Sequence, residues 1–276
     1  MTLFSSSCEA MKKTGHKYCE AMHSVCYSLA TEDLNIIKND ALRDVSDNMF
    51  PRGIQDDALL FISHVFSNLQ DEQTPESSNF RSNDYEYYKD ALNGYRSNFP
   101  SITDELFTWM IQKNIKCNGC NNVTKNFEVF VYITLELGAK NLQEAYQNYI
   151  NYKDHCESLC EHCDTKSKTL TKEMIKLPEY CIFQINRFNF KDNRKNQEFL
   201  EYPETLSLSD KYKSDIKYEL KCLIVHNGGL ERGHYITVGL KKNQWVKFDD
   251  SEYTTLKEPD QLNNQAYILF YKRVNN

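Results

Sequence analysis

Two Cys-x-x-Cys pairs constrain the fold of this chain more than any other feature of its sequence. Cys117 and Cys120 form the first pair, and Cys160 and Cys163 form the second. Each pair can give two thiolates to a tetrahedral Zn²⁺ ion, so the segment between the pairs has to fold back and bring them together. Four thiolates leave no coordination position open for chemistry. The spacing therefore predicts a structural zinc ion that holds the tip of an extended hairpin.

Other possible metal ligands lie close to the second pair, namely His155, Cys156 and His162. Cys156 has no partner at the same spacing, so we interpret it as a spare thiol. The two histidines could compete with the thiols for the ion, but the paired cysteines alone already complete a tetrahedral set. The predicted ligands are thus the four paired cysteines.

The composition of the chain agrees with metal binding rather than disulfide bonding. The 276 residues include ten cysteines and carry a formal net charge of −6. No apolar run approaches the ~18 residues of a membrane span, and the N-terminal segment lacks the pattern of a signal peptide. We therefore expect an intracellular protein, cytoplasmic or nuclear, in which cysteines bind metal or act in catalysis. Because basic residues are not clustered, we expect no nucleic-acid partner, and we expect a monomer that does not bind membranes.

Apolar periodicity places helices early in the chain and strands late, an order typical of an α+β protein. A spacing of three to four residues predicts helices over Glu20–Leu29, Ala58–Leu69 and Asn141–Tyr152. The polar stretch Gln70–Asn98 is predicted to be a loop or a partly ordered insertion. Alternating and β-branched residues predict strands over Phe127–Leu137, Ile182–Phe188, Tyr218–Val225, Tyr235–Leu240, Trp245–Phe248 and Ala266–Tyr271.

The two strands near the end of the chain carry a histidine and a carboxylate. His234 stands at the head of one strand, and Asp249 stands at the tail of the next. A short antiparallel hairpin brings these two positions side by side, and a carboxylate that orients an imidazole is the base half of a nucleophilic triad. Gly233 leaves room for the close approach of a substrate. The missing member is a nucleophile, and the many cysteines indicate a thiol.

Several short segments from about residue 50 to the C-terminus follow one another in a characteristic order. The segments are Phe50–Phe61, Ser101–Ile102, Leu106–Phe107, Leu177–Pro178, Ile185–Phe188, Tyr218–Leu220, His226–Gly228, Gly233–Tyr235, Trp245–Asp250 and Ala266–Tyr271. By these segments the chain resembles the catalytic domain of ubiquitin-specific proteases, a family of papain-like cysteine deubiquitinases. A zinc-stabilised scaffold unrelated to ubiquitin would have to explain the pairing of Gly233–Tyr235 with Trp245–Asp250 as a structural accident.

The resemblance implies one papain-like catalytic domain over residues 1–276. It would consist of a helical, thumb-like lobe (1–100), a fingers-like zinc ribbon (101–176) and a β-rich, palm-like lobe (177–276). The implied activity is hydrolysis of the isopeptide or thioester bond at the C-terminus of ubiquitin, and the implied partners are ubiquitin and ubiquitinated proteins. Asp249 would orient His234, and Asp250 would be a polar neighbour. Gln55, Gly233 and Tyr235 would bind the substrate.

The nucleophile segment is where the chain departs from the family pattern. The family has Gly-Asn-Thr-Cys-Tyr-Met-Asn-Ser, whereas this chain has Gly-His-Lys-Tyr-Cys-Glu-Ala-Met-His-Ser from Gly15 to Ser24. An alignment without gaps puts Glu20 at the nucleophile position, and Cys19 lies one residue earlier. In one interpretation Cys19 is the nucleophile, and the positive end of the helix lowers its pKa. In the other, the chain is an inactive relative that binds ubiquitin without cleaving it.

Overall fold

A computed structural model of the protein describes residues 15–31, 40–75, 80–81, 84–189, 191–212, 215–230, 232–259 and 265–274. These residues form two compact units. The first contains the described part of 1–79 together with 96–105, and the second contains that of 80–95 together with 106–276. Within the described residues, no helix is long and apolar enough to cross a membrane.

The first compact unit is helical. Helix α1 spans Lys17–Thr31, α2 spans Asp40–Ser46 and α3 spans Ala58–Gln73. Asp57 caps α3, because its carboxylate accepts the N–H groups of Leu59 and Leu60, which have no partner within the helix. The helices enclose a small core whose buried members are Tyr18, Cys19, Ala21, Cys26, Leu42, Val65 and Leu69.

Helix α4 (Tyr88–Asn98) shows that the predicted loop over Gln70–Asn98 was wrong in part. Helix α3 also continues to Gln73, beyond the predicted end. α4 buries only Ala91 and Tyr95, one turn apart, and Phe80 packs edge-on against the Tyr95 ring at 5.4 Å. So narrow an apolar face gives a weak helical signal in a polar sequence. A short helix, α5 (Ile102–Phe107), follows.

The second compact unit begins with an antiparallel sheet that carries the cysteine pairs. Its strands are β1 (Trp109–Cys117), β2 (Val123–Phe130), β4 (Asp154–Glu157) and β5 (Ser167–Lys176). Within the described residues, their spatial order is β2-β1-β5-β4. Cys117 ends β1, and the second cysteine pair lies between β4 and β5. The two pairs therefore meet at one end of this sheet.

The strand predicted over Phe127–Leu137 is two strands in two different sheets. β2 ends at Phe130, the chain bends, and β3 (Ile133–Glu136) pairs in parallel with β6 (Tyr180–Asn186). The alternation of side chains continues through the bend, so the sequence gives no sign of it. Helix α6 (Leu142–Asn151) follows, in agreement with the helix predicted over Asn141–Tyr152, and the Asn141 side chain caps it.

The second, larger sheet holds the late strands, which confirms the predicted α+β class. Two short strands, β7 (Phe188–Asn189) and β8 (Arg194–Lys195), pair with each other outside it. The remaining strands are β9 (Thr205–Ser209), β10 (Asp215–Gly228), β11 (Gly233–Lys241), β12 (Gln244–Asp249), β13 (Glu252–Leu256) and β14 (Ala266–Arg273). Within the described residues the spatial order is β13-β12-β11-β10-β14-β6-β3, with β9 beside β10. Inward-facing residues of β6, β10 and β14 fill the core, and each buried Leu, Ile or Phe contributes ~1.5–3 kcal/mol of burial free energy.

Candidate functional site

His234 and Asp249 lie side by side in the second compact unit, at one end of the β11–β12 hairpin. The Nε2–H group of His234 donates to Oδ1 of Asp249 at 2.6 Å. The hairpin register pairs Thr237 with Phe248, so the start of β11 faces the end of β12. The histidine side chain is 43% exposed and the aspartate side chain is 32% exposed. Asp249 thus holds the Nε2 atom of a solvent-accessible imidazole, and Nδ1 is the ring nitrogen that does not face this carboxylate.

Lys247 and Asp250 flank this pair differently. The Nζ atom of Lys247 lies 3.0 Å from the second carboxylate oxygen of Asp249. The hydrogen bond from His234 and then the contact with Lys247 hold the pKa of Asp249 below its ordinary value of 3.8. Asp250 is 83% exposed and its carboxylate lies 4.0 Å from the imidazole. The geometry therefore favours Asp249 as the orienting carboxylate and Asp250 as its neighbour.

Gly233, Tyr235 and His226 form a packed group beside His234. A Cβ atom on Gly233 would overlap the Nε2 atom of the His226 ring and lie 2.8 Å from the Asn227 carbonyl oxygen. The Tyr235 ring packs on the His226 imidazole, with 4.7 Å between the ring centroids. The His226 ring therefore fills the space beside Gly233. The sequence did not predict this packing role of the glycine.

Cys19 lies in the first turn of α1, in the first compact unit. The carboxylate of Glu72, in the last turn of α3, accepts the backbone N–H of Tyr18 at 3.0 Å and that of Cys19 at 2.9 Å. The carboxylate of Glu20 accepts the N–H of Gly15 at 3.0 Å. Backbone N–H groups at the start of a helix attract anions. Here the carboxylates of Glu72 and Glu20 already accept such N–H groups.

The Cys19 thiol is buried and is not activated in this arrangement. It is 2% exposed, and Nε2 of Gln73 donates to its sulfur at 3.4 Å. Burial and then the Glu72 carboxylate raise the pKa of Cys19 to about 11. The sequence suggested that the positive end of the helix would lower this pKa. That expectation was wrong, because burial of the thiol, and then the negative charge of Glu72 at the same helix end, raise the pKa instead.

Two other predicted site residues are exposed in the first unit. Glu20, at the position of the family nucleophile, points to solvent apart from its bond to Gly15. Gln55 lies in the loop two residues before the cap of α3 and is also exposed. The resemblance implies that an oxyanion-stabilising Asn of the family is absent here, with Lys13, Thr14 and Gly15 in its region; Lys13 and Thr14 lie outside the described residues. Sequence reasoning missed Glu72, because the helix that carries it was predicted to end at Leu69.

The four paired cysteines meet at the end of the β1–β5 sheet. The Sγ atoms of Cys117 and Cys163 lie 3.6 Å apart, and those of Cys120 and Cys160 lie 3.8 Å apart. Zn–S bonds of ~2.3 Å in a tetrahedron place sulfurs ~3.8 Å apart, so the donor set and its spacing fit a zinc ion. Within the described residues, the cluster contains these four thiols and not His155, Cys156 or His162.

Both cysteine pairs adopt the same turn, which explains how the thiols converge. The residues that follow them, Asn121 and Asp164, have positive φ angles of 61° and 56°. The N–H of Asn121 donates to the Cys117 carbonyl at 3.0 Å, and the N–H of Asp164 donates to the Cys160 carbonyl at 3.1 Å. Asn and Asp tolerate this left-handed conformation better than most residues. Each turn directs both of its sulfurs to one point.

Comparisons with known proteins agree with these features. The profile of the ubiquitin carboxyl-terminal hydrolase family matches residues 2–271. A probable ubiquitin carboxyl-terminal hydrolase 8 from Schizosaccharomyces pombe is 28% identical over 170 residues, which are 60% of this chain and 38% of that protein. A probable ubiquitin carboxyl-terminal hydrolase from Acanthamoeba polyphaga mimivirus is 26% identical over 256 residues, covering 84% of this chain and 53% of that protein. The chain thus spans about half or less of these relatives.

Solved structures share the fold. Ubp8 in a SAGA DUB module superposes with a TM-score of 0.73 at 23% identity, covering 99% of this chain and 62% of Ubp8. Other structures of this module are described as bound to monoubiquitin or to ubiquitin aldehyde. The names of the relatives agree with the predicted enzyme class, a ubiquitin-specific cysteine protease. This chain belongs to the ubiquitin carboxyl-terminal hydrolase family.

Proposed function

We propose that the chain is a cysteine-type deubiquitinase that hydrolyses the isopeptide or thioester bond at the C-terminus of ubiquitin. The observation that supports this most is the 2.6 Å hydrogen bond between His234 and Asp249, in a chain of this family. An exposed imidazole oriented by a carboxylate has one main use in acyl transfer, which is to move a proton to and from a nucleophile. The proposed partners are ubiquitin and ubiquitinated proteins.

In the proposed mechanism each of the three side chains has a defined role in proton transfer or bond formation. Nδ1 of His234 takes the proton of the Cys19 thiol, while Asp249 holds Nε2–H and stabilises the charged ring. The thiolate attacks the terminal carbonyl of ubiquitin, and the tetrahedral intermediate expels the amine or thiol, which receives the proton from His234. A thioester with Cys19 remains. His234 then takes a proton from water, which attacks the thioester. The C–S bond breaks, the Cys19 sulfur recovers the proton from His234, and ubiquitin is released with a free carboxylate.

This mechanism requires a rearrangement at the start of α1. The backbone N–H of Cys19 donates to Glu72, and the thiol is buried. An oxyanion needs such donors, and losing one typically costs ~10²–10³-fold in rate. The Glu72 carboxylate therefore has to leave before Cys19 can react. Catalytic contacts often form only in the complex with substrate.

A second candidate function is recognition of ubiquitin without hydrolysis. The observations that favour it are the buried setting of Cys19 and the presence of Glu20 at the position of the family nucleophile. A carboxylate there cannot form the thioester. In this case the chain would keep the fold and bind ubiquitin as a receptor.

One experiment separates the two candidates. The protein is incubated with ubiquitin that bears a C-terminal electrophile, and any adduct is mapped by mass spectrometry. Labelling at Cys19 that is lost in Cys19→Ala, and kept in Cys26→Ala, supports the hydrolase. Binding of ubiquitin by calorimetry without any adduct supports the receptor. Absence of both binding and adduct would overturn both.

The four-cysteine cluster is proposed to hold a structural Zn²⁺ ion with no part in the chemistry. Gly119 supports this function, because a Cβ atom there would overlap the Thr165 hydroxyl and lie 3.3 Å from the Cys163 sulfur. The two turns are thus packed against each other as closely as a shared ion requires. Four thiolates complete the coordination and leave no position for water.

A further inference from the structure

A second group of side chains whose types can bind a metal ion lies in the first compact unit. His16, Cys19 and Glu72 each offer one ligand atom, and these atoms all lie within 4.8 Å of one another. His16 immediately precedes α1, Cys19 follows three residues later on the same face, and Glu72 comes from the last turn of α3. We propose that His16, Cys19 and Glu72 form a second Zn²⁺ site, distinct from the four-cysteine cluster.

The residue types suit zinc. Thiolate, imidazole and carboxylate are its three usual protein ligands, and a tetrahedral ion places them ~3.3–3.8 Å apart. The present separations are at most 4.8 Å, a difference that side-chain rotation can close. The thiolate and the carboxylate together balance the charge of Zn²⁺. The ion would thus occupy the site without adding net charge beside the buried Cys19.

The ligands are already oriented by neighbouring groups. Both oxygens of Glu72 accept backbone N–H groups, from Tyr18 at 3.0 Å and from Cys19 at 2.9 Å. The sulfur of Cys19 accepts an amide N–H from Gln73 at 3.4 Å. Hydrogen bonds from outside the ligand shell fix metal ligands in this way and raise affinity. Because His16 and Glu72 are only half-buried, an ion has a path to the site.

The proposed site differs from the four-cysteine cluster in its coordination. Three protein ligands leave a fourth position for water, whereas four thiolates leave none. A thiolate bound to zinc is not free to attack a carbonyl, so the loaded site would keep Cys19 from acting as a nucleophile. The zinc site itself does not depend on whether the chain cleaves ubiquitin. An experiment can therefore contradict the proposed hydrolase function without contradicting the zinc site, and the reverse.

The test measures zinc directly in the whole chain. Wild-type protein, His16→Ala and Glu72→Gln are each equilibrated with Zn²⁺, dialysed and analysed for metal by mass spectrometry. We expect the wild type to hold one zinc ion per chain more than either variant. Cys26→Ala, which changes another buried thiol of α1 outside the ligand set, is the matched control and should equal the wild type.

Affinity gives a second readout that does not depend on full removal of the ion. Competition with a chromogenic chelator should show the second zinc ion bound more than ~10-fold more weakly in His16→Ala than in the wild type. His16 lies outside the buried core, so this variant should keep its fold, which circular dichroism verifies. Zinc content and affinity equal to the wild type in both His16→Ala and Glu72→Gln would overturn the proposal. If Cys120→Ser lost zinc and the His16 and Glu72 variants did not, the four-cysteine cluster would account for the bound zinc, and the proposal would be overturned as well.

Discussion

Gly233 has a structural function that its sequence position does not reveal. Any side chain at this position would overlap the His226 ring. We expect Gly233→Ala to lower the free energy of unfolding by ~1–3 kcal/mol, the usual cost of overpacking. Urea denaturation measures this change in the free energy of unfolding. Gly239→Ala, on the same strand, is the control, because its Cβ atom would meet no atom closer than 4.0 Å and should change stability little. Equal effects of the two substitutions would contradict this account.

The bond between His234 and Asp249 also makes stability depend on pH. Because the folded pKa of Asp249 is depressed, its ionised form stabilises the fold above the ordinary value of 3.8. This contribution is lost as the pH falls through the folded pKa. We expect Asp249→Asn to be less stable than the wild type at pH 7 and the difference to shrink below about pH 4.

Thermal unfolding across pH 3 to 7 provides the measurement, with Asp250→Asn as the control. Asp250 is 83% exposed and 4.0 Å from the ring, so its substitution should leave the pH profile unchanged. A stability difference for Asp249→Asn that stays constant down to pH 3 would show that the hydrogen bond does not link folding to this carboxylate.

At the scale of the elements, the start of helix α3 depends on one side chain. The carboxylate of Asp57 accepts the N–H groups of Leu59 and Leu60 at 2.8 Å and 3.0 Å. We expect Asp57→Ala to destabilise the protein by about 1 kcal/mol, the typical value of a cap. Asp57→Ser keeps a capping oxygen and should recover most of the loss in the same urea titration. An equal loss in both variants would argue against capping.

The elements also show which local patterns the sequence carries. The predicted helices over Ala58–Leu69 and Asn141–Tyr152 and the strands of the β10–β12 region occur within a few residues of their predicted bounds. The bend between β2 and β3 was not predicted, because alternation does not change when a chain passes from one sheet to another. Helix α4 was missed because it buries only Ala91 and Tyr95.

At the scale of the whole molecule, the four-cysteine cluster joins elements far apart in the chain. Cys117 ends β1, whereas Cys163 precedes β5. We expect removal of zinc with a chelator to loosen this end of the sheet and to leave the sheet around β10 and β14 intact. Local opening of a structure can occur without global unfolding.

Hydrogen–deuterium exchange tests this prediction. The amides of residues 117–121 and 160–167 should lose protection on metal removal, and those of β10 and β14 should keep it. Cys163→Ser should reproduce the change in the presence of zinc, whereas Cys156→Ser, outside the cluster, should not. Identical exchange with and without the ion would exclude a structural role for it.

Features that depend on residue spacing or on neighbouring strands could be predicted from the sequence. These are the α+β class, the four-cysteine cluster, and the adjacency of His234 and Asp249 on one hairpin. Turns fix the geometry within each cysteine pair, and the hairpin fixes that of His234 and Asp249, because these residues are close in the chain. The two cysteine pairs meet because β1 pairs with β5.

The environment of Cys19 results from helix packing and could not be predicted from the sequence. Glu72 follows it by 53 residues and meets it through helix packing, for which the sequence has no local signal. The same carboxylate accepts N–H groups at the start of α1, contributes to the raised pKa of the thiol and completes the group of three side chains proposed to bind zinc. The chemistry of a cysteine depends on the charges and donors that packing brings to it, and these come from distant parts of the chain.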